Sequence, residues 1–161
     1  MSSRPKAVVL GPQDGKTIAV LGNTVTPKVV SADTAGAWSL LEVTYAPVGG
    51  FPGPPLHRHD GYDETFYILD GDVTFRLGER TLTQSAGACV FIPRGQPHTF
   101  ANHAEQPARF LLLLTPAGFE QYFEELAALV GQAEEMPSQE QVAALVEKYG
   151  FEVLGPPLPA P

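Results

Sequence analysis

Short runs of alternating apolar and polar positions, broken by turn residues about every 8–12 positions, dominate the chain from Leu56 to Thr115. Glu64–Leu69 places Glu64, Phe66 and Ile68 on one face and ends at the turn dipeptide Asp70-Gly71. Val73–Leu77 ends at Gly78-Glu79, which suits a type II′ hairpin with glycine first. Arg80–Thr83, Ala88–Ile92, His98–Asn102 and Ala108–Leu114 follow, with Pro93-Arg94-Gly95 as a type I turn. The run Phe110–Leu114 is apolar at successive positions, which predicts cover on both of its faces. Upstream, Thr17–Leu21, Thr24–Val30 and Trp38–Tyr45 are β-rich and are separated by Gly22-Asn23 and by the cluster Ser31 to Gly36. Pro27 places the second of these at a sheet edge or a bulge. The lead-in over residues 1 to about 16 is polar, with one edge strand at Ala7–Leu10, and Gly49 to Pro55 reads as a loop at a pocket mouth.

After Thr115-Pro116 the period becomes helical. Phe119, Phe123, Leu126 and Val130 recur at i, i+4, i+7 and i+11, with Pro116 in the first turn and Gly131 closing the helix. Ser138-Gln139-Glu140-Gln141 forms a capping box ahead of Val142, Leu145, Val146 and Tyr149. Gly150 stops this second helix, and GPPLPAP reads as a stiff or frayed tail. The pattern predicts an all-β protein with two C-terminal α-helices that lid the barrel or pack on its outside. It is one domain over 1–161, with a barrel over about 36–115 and a helical segment over about 116–150.

Composition narrows the classes. With 16 Gly and 16 Pro, long helices cannot dominate. Ten basic against 18 acidic residues leave a formal charge of −8, with no clustered Lys/Arg footprint to displace counterions, which argues against a nucleic-acid partner. The single cysteine, Cys89, excludes an intramolecular disulfide and reads as a buried small hydrophobe in the run Ala88–Ile92. No stretch approaches the ~20 apolar residues of a membrane span, and no signal-peptide pattern opens the chain, so a soluble cytoplasmic protein is expected.

Two clusters carry chemistry: PPLHRHDGYDETFYILDG (Pro54 to Gly71) and GACVFIPRGQPHTFAN (Gly87 to Asn102). In a strand His57 and His59 face one side and Arg58 the other, so the two imidazoles can chelate one ion. Glu64 lies across a short loop at the start of the next strand, and His98 begins another strand and supplies the fourth ligand from the opposite wall. Three nitrogens and one carboxylate oxygen suit a divalent transition metal (Fe, Mn, Ni, Co, Cu or Zn) better than Mg or Ca. Asp63 competes with Glu64 as ligand under a one-residue shift, but the spacing to Gly71 favours Glu64. His103 reads as an incidental histidine and Arg94 as a rim turn residue. Strand alternation nominates Phe66, Phe75, Phe91, Phe100 and Leu112 as an apolar pocket wall, with ordinary core packing as the competing reading. Tyr62 and Asp63, in the loop between ligands, are candidates to orient substrate or water.

These clusters resemble the two motifs of the cupin superfamily. The first matches HxH-x4-E-x6-G through His57, His59, Glu64 and Gly71, although the pattern's leading glycine would fall on Phe51, with Gly50 and Gly53 either side. The second matches G-x5-P-x-G-x2-H-x3-N through Gly87, Pro93, Gly95, His98 and Asn102, and 15 residues separate Gly71 from Gly87. The resemblance implies a double-stranded β-helix (jelly-roll) barrel. The segments GNTVTPKVVSADTAGAWSLLEVTYAP, PPLHRHDGYDETFYILDGDVTFRLG and TPAGFEQYFEELA further resemble the quercetin 2,3-dioxygenase-like monocupins. That likeness implies a metal-bound flavonol-type substrate cleaved by dioxygen, Glu64 as ligand and catalytic base, and a homodimer formed through residues 1–45.

Three functions compete on this reading. The first is a metal-dependent dioxygenase on an aromatic or enol substrate. The second is a cupin isomerase, cyclase or lyase using the metal as a Lewis acid; a sugar-phosphate version is disfavoured because no Lys or Arg projects inward beside the ligands. The third is a non-catalytic small-molecule-binding cupin. Fold alone does not choose among them.

Overall fold

The alternation becomes two antiparallel sheets in the computed structural model, which describes residues 6–47, 53–131 and 138–160. In chain order the elements are β1 (Ile18–Val20), β2 (Asn23–Val29), α1 (Ser31–Thr34), β3 (Ser39–Tyr45), β4 (Pro55–His59), β5 (Asp63–Asp70), β6 (Asp72–Leu77), β7 (Arg80–Ser85), β8 (Cys89–Ile92), β9 (His98–Ala101), β10 (Ala108–Thr115), α2 (Glu120–Gly131), α3 (Gln139–Lys148) and β11 (Phe151–Pro157). One sheet has the order β1-β2-β3-β10-β5-β8, the other β11-β4-β9-β6-β7. The inner faces of both meet in one core, the jelly-roll arrangement the motifs implied.

Period-2 burial selects that core. Phe66 and Ile68 on β5, Val73 and Phe75 on β6, and Phe110, Leu112 and Leu114 on β10 are all buried. Phe66 sits centrally, its ring centroid 5.2 Å from Phe75, 5.0 Å from Phe100 and 5.4 Å from Phe110. Such tilted and edge-on pairs add about 0.5–1.5 kcal/mol each beyond the area they bury. Leu111 and Leu113 on the other face of β10 are only half covered.

Several expectations need correction. Residues 7–10 form no strand, and Val9 stands 90% exposed. A short helix, α1, occupies the expected turn cluster at Ser31 to Gly36. Pro116 lies before α2 and not in its first turn. Most consequentially, an edge strand the sequence reading did not assign, β11, starts at Phe151 and runs into the expected stiff or frayed tail as far as Pro157, pairing Phe151 with His59 and Val153 with His57. The bulge predicted at Pro27 is present as a register shift between Pro27 and Val29. The capping box is present too, Ser138 accepting from the Gln141 backbone N–H and Gln141 returning the bond. The mouth loop at Gly49 to Pro55 lies mostly outside the described residues. Among the described residues, no helix is long and apolar enough to cross a membrane.

Candidate metal centre

β4 delivers two of the four candidate ligands. His57 and His59 turn inward at i and i+2, while Arg58 turns out and bonds Glu152 across β11 at 2.6 Å. His98 opens β9 directly opposite His57. All three imidazoles therefore belong to one sheet, and the carboxylate of Glu64, on β5, comes from the other. This reverses the expectation that His98 would be the ligand from the opposite wall. All four residues are between 1 and 4% exposed, and one ligand atom from each lies within 4.8 Å of the others.

Backbone carbonyls aim the rings. His57 Nδ1 donates to Pro55 O at 2.7 Å and His98 Nδ1 to Gln96 O at 2.9 Å, which turns both Nε2 atoms toward the centre. There, His57 Nε2 lies 3.1 Å from His59 Nε2, and His98 Nε2 lies 2.7 Å from Glu64 Oε2. Burial, then the neighbouring imidazoles, pushes His57 down to about 3. His59 falls to about 4, chiefly through burial, with Glu64 opposing. Burial works to raise the Glu64 carboxyl, but contact with His98 and the other two imidazoles outweighs it and holds the group below its ordinary value. His98 moves the other way, burial being outweighed by Glu64. His57 and His59 are thus neutral nitrogen donors near neutral pH, beside an ionised oxygen donor.

The donor set fits a divalent transition ion. Glu64 Oε2 and His98 Nε2 are buried without a well-formed hydrogen bond, as is His59 Nδ1. Buried polar atoms left this way are rare, and a cation bound by three imidazoles and a carboxylate would satisfy the first two. Asp63 is not part of the cluster. It faces away from Glu64 and clasps Arg94, whose backbone N–H and Nε reach Oδ1 at 2.8 and 3.1 Å and whose terminal nitrogen reaches Oδ2 at 2.8 Å. That guanidinium holds the Asp63 carboxyl down at about 2. The clasp ties the start of β5 to the turn before His98, and Gly95 N–H adds a bond to His59 O at 2.6 Å. Arg94 is therefore more than a rim turn residue.

Of the expected wall, Phe66, Phe75, Phe100 and Leu112 are buried in the barrel, and Tyr62 lies with its ring 6.1 Å from His59. Phe91 is a correction: it points outward at 60% exposure, paired with Thr65 on the outer face. Cys89 points outward with it and is exposed, not buried. Sequence reasoning missed an aromatic cap built by the C-terminal segment. Phe151 lies 4.2 Å from His59 and 5.1 Å from His57 between centroids, and Phe119 lies 5.3 Å from His59. Tyr122 stacks on Phe119 at 5.1 Å and meets Phe151 at 5.0 Å, with Tyr149 behind at 5.6 Å. Glu120 anchors this cap by accepting from Ser31 N–H and Gly118 N–H, both at 2.7 Å. The density of aromatics between Phe119 and Phe151 was the available signal.

Comparison with known proteins follows the same lines. Residues 41–114 match the cupin domain family. The tetracenomycin polyketide synthase protein TcmJ of Streptomyces glaucescens is 28% identical over 106 residues, covering 65% of this chain and 63% of that protein. The chain thus spans less than two thirds of that relative's length. The solved structure of the polyketide cyclase RemF from Streptomyces resistomycificus shares 26% identity at a TM-score of 0.59, over 68% of this chain and 80% of its own. KdgF from Halomonas sp. shares the fold at a TM-score of 0.60 and 16% identity, over 71% and 99% of the two chains.

Proposed function

Since residues 41–114 form a cupin domain, we propose that this chain is a metal-dependent enzyme acting on a flat, hydroxylated aromatic or poly-β-carbonyl substrate, with cyclisation as its chemistry. The observation that carries the reading is the enclosure of His57, His59, Glu64 and His98 between an all-aromatic cap and an apolar barrel. The likeness to a polyketide synthase protein and to a polyketide cyclase supports the substrate class. His57, His59, Glu64 and His98 would hold a divalent ion, which would supply Lewis acidity toward an enolisable carbonyl oxygen.

The chain's own residues perform the other tasks. Glu64, the one carboxylate of the cluster, accepts the proton released on enolisation. Phe119, Tyr122 and Phe151 close over the imidazoles and exclude water, which strengthens every charge interaction inside. Arg58 and Arg94 are tied to Glu152 and Asp63 on the outside, so neither is turned inward toward a phosphate.

The buried, neutral imidazole set also suits a redox-active ion, which favours ring cleavage by dioxygen as the second reading. Protein loaded separately with Fe, Mn, Ni, Co, Cu and Zn, then given linear poly-β-ketone mimics and flavonols, separates the two. Ring closure with loss of water and no oxygen consumption is the expected result. Stoichiometric oxygen uptake would replace cyclase with dioxygenase, and binding without turnover would leave a ligand-binding cupin. Exposed Val8, Val9 and Leu10 support the homodimer expected through the N-terminal residues, which sedimentation velocity measures directly.

A further inference from the structure

Tyr45 ends β3 on its inward face, in line with Ser39, Leu41 and Val43. The chain around it is pinned from two directions. Ala46 N–H donates to Asn23 Oδ1 at 2.8 Å, and Asn102 Nδ2 donates to Ala46 O at 3.0 Å and Tyr45 O at 3.4 Å, with a further bond to Gln106 O at 2.8 Å. Asn102, the last residue of the second histidine cluster, therefore locks the end of β3 to the loop after β9. The Tyr45 ring packs 5.4 Å from Phe100 and 5.8 Å from Phe110. Both of those rings touch Phe66, which follows Glu64 by two residues on the same buried face.

The phenol at the end of this pinned ring makes no hydrogen bond among the described residues. Tyr45 is half-buried, so its hydroxyl is not sealed in the core. Burial, then Tyr122 from the cap and Glu64 from the site, push its pKa upward, so the hydroxyl keeps its proton and remains a donor. Burial likewise pushes the Tyr122 phenol up to about 12, and that hydroxyl too has no partner among the described residues. A phenol with no partner among the described residues, held against Phe100 and Phe110 on the aromatic wall that leads to Glu64, is what a site needs to read an oxygen on a bound ligand.

We propose that Tyr45 contacts the substrate, its phenol donating a hydrogen bond to a ring hydroxyl or carbonyl oxygen of an aromatic ligand whose enolic oxygen lies at the His57–His59–Glu64–His98 cluster. Tyr45 is then a specificity residue, favouring oxygenated over bare aromatic rings. This rests on the reading of the site as one for hydroxylated aromatics, and deepens it.

The probes are 3-hydroxyflavone and its derivatives carrying one added hydroxyl on either terminal ring; all share one chelating edge and differ only in the distal oxygen. Binding to zinc-loaded protein is followed by ligand fluorescence for the wild type and for Tyr45→Phe, which preserves ring and volume. The wild type should favour at least one hydroxylated derivative over the parent by about three- to tenfold, the size of one hydrogen bond. In Tyr45→Phe that preference should vanish while affinity for the parent, zinc stoichiometry and melting temperature stay unchanged. A preference that survives the substitution overturns the role of Tyr45 and leaves the proposed substrate class standing, and so does wild-type binding without any preference. If the wild type binds no flavonol at all, the substrate class and Tyr45's role fall together.

Discussion

The ring of Phe151 lies 4.2 Å from that of His59 at an angle of 51°, and the two residues are direct partners across β11 and β4. The last strand of the chain thus both completes the sheet that bears three of the four candidate ligands and roofs the site with an aromatic side chain. Barrel and cap meet at this pair.

Phe151→Ala should open that roof. Phe151 is half-buried, so we expect a loss of about 1–3 kcal/mol, below the range for a fully buried phenylalanine. Urea denaturation measures the stability and competition with a chromogenic chelator measures metal release, which should quicken. Unaltered release kinetics would show that the cap does not guard the ion.

Glu64→Gln preserves shape and removes the charge that His98 and the other imidazoles hold ionised. The fold should persist, seen by circular dichroism, while metal affinity falls by at least the ~10-fold typical of losing even an outer-sphere partner. Metal analysis of the purified variant decides it; wild-type metal content would remove Glu64 from the site.

Metal binding to the folded state alone should stabilise the protein by mass action. At ~100 times the dissociation constant the gain is about 2.7 kcal/mol, or a rise of roughly 5–10 °C in melting temperature for a chain of this length. Scanning calorimetry with and without chelator tests this. Identical curves for chelated and loaded protein would argue that the tetrad holds no ion.

Gly71 has φ of +72°, and a Cβ there would stand 2.6 Å from Pro107 O and 2.9 Å from Ala108 Cα. Both contacts are backbone and cannot swing aside, so Gly71→Ala should cost more than about 2 kcal/mol. Gly61→Ala is the control: nothing lies within 4 Å of its Cβ position, and its effect should stay within ~0.5 kcal/mol. Equal melting temperatures for the two variants would contradict the steric account of the first motif's glycine.

What the sequence determined by itself is what local rules govern. His57 and His59 share a face because a strand repeats every two residues, and Glu64 keeps its place because Gly71 marks where β5 must end. The tetrad, the hairpins and the Ser138 cap were all legible for this reason. Tertiary structure decided the rest. Ala88–Ile92 is apolar at every position, so no polar residue marked its outer face, and only pairing of Thr65 with Phe91 and Phe66 with Val90 sent Phe91 and Cys89 to solvent. Which ligand stands alone was equally non-local: pairing of His57 with His98 puts the imidazoles on one sheet and leaves Glu64 to the other. β11 carries a Gly-Pro-Pro run that argues against a strand by propensity, yet it forms because β4 offers an unpaired edge on which its backbone groups find partners. The aromatic cap and the pinned phenol of Tyr45 follow from those long-range pairings, which join residues up to about a hundred positions apart and leave no periodic trace in the chain.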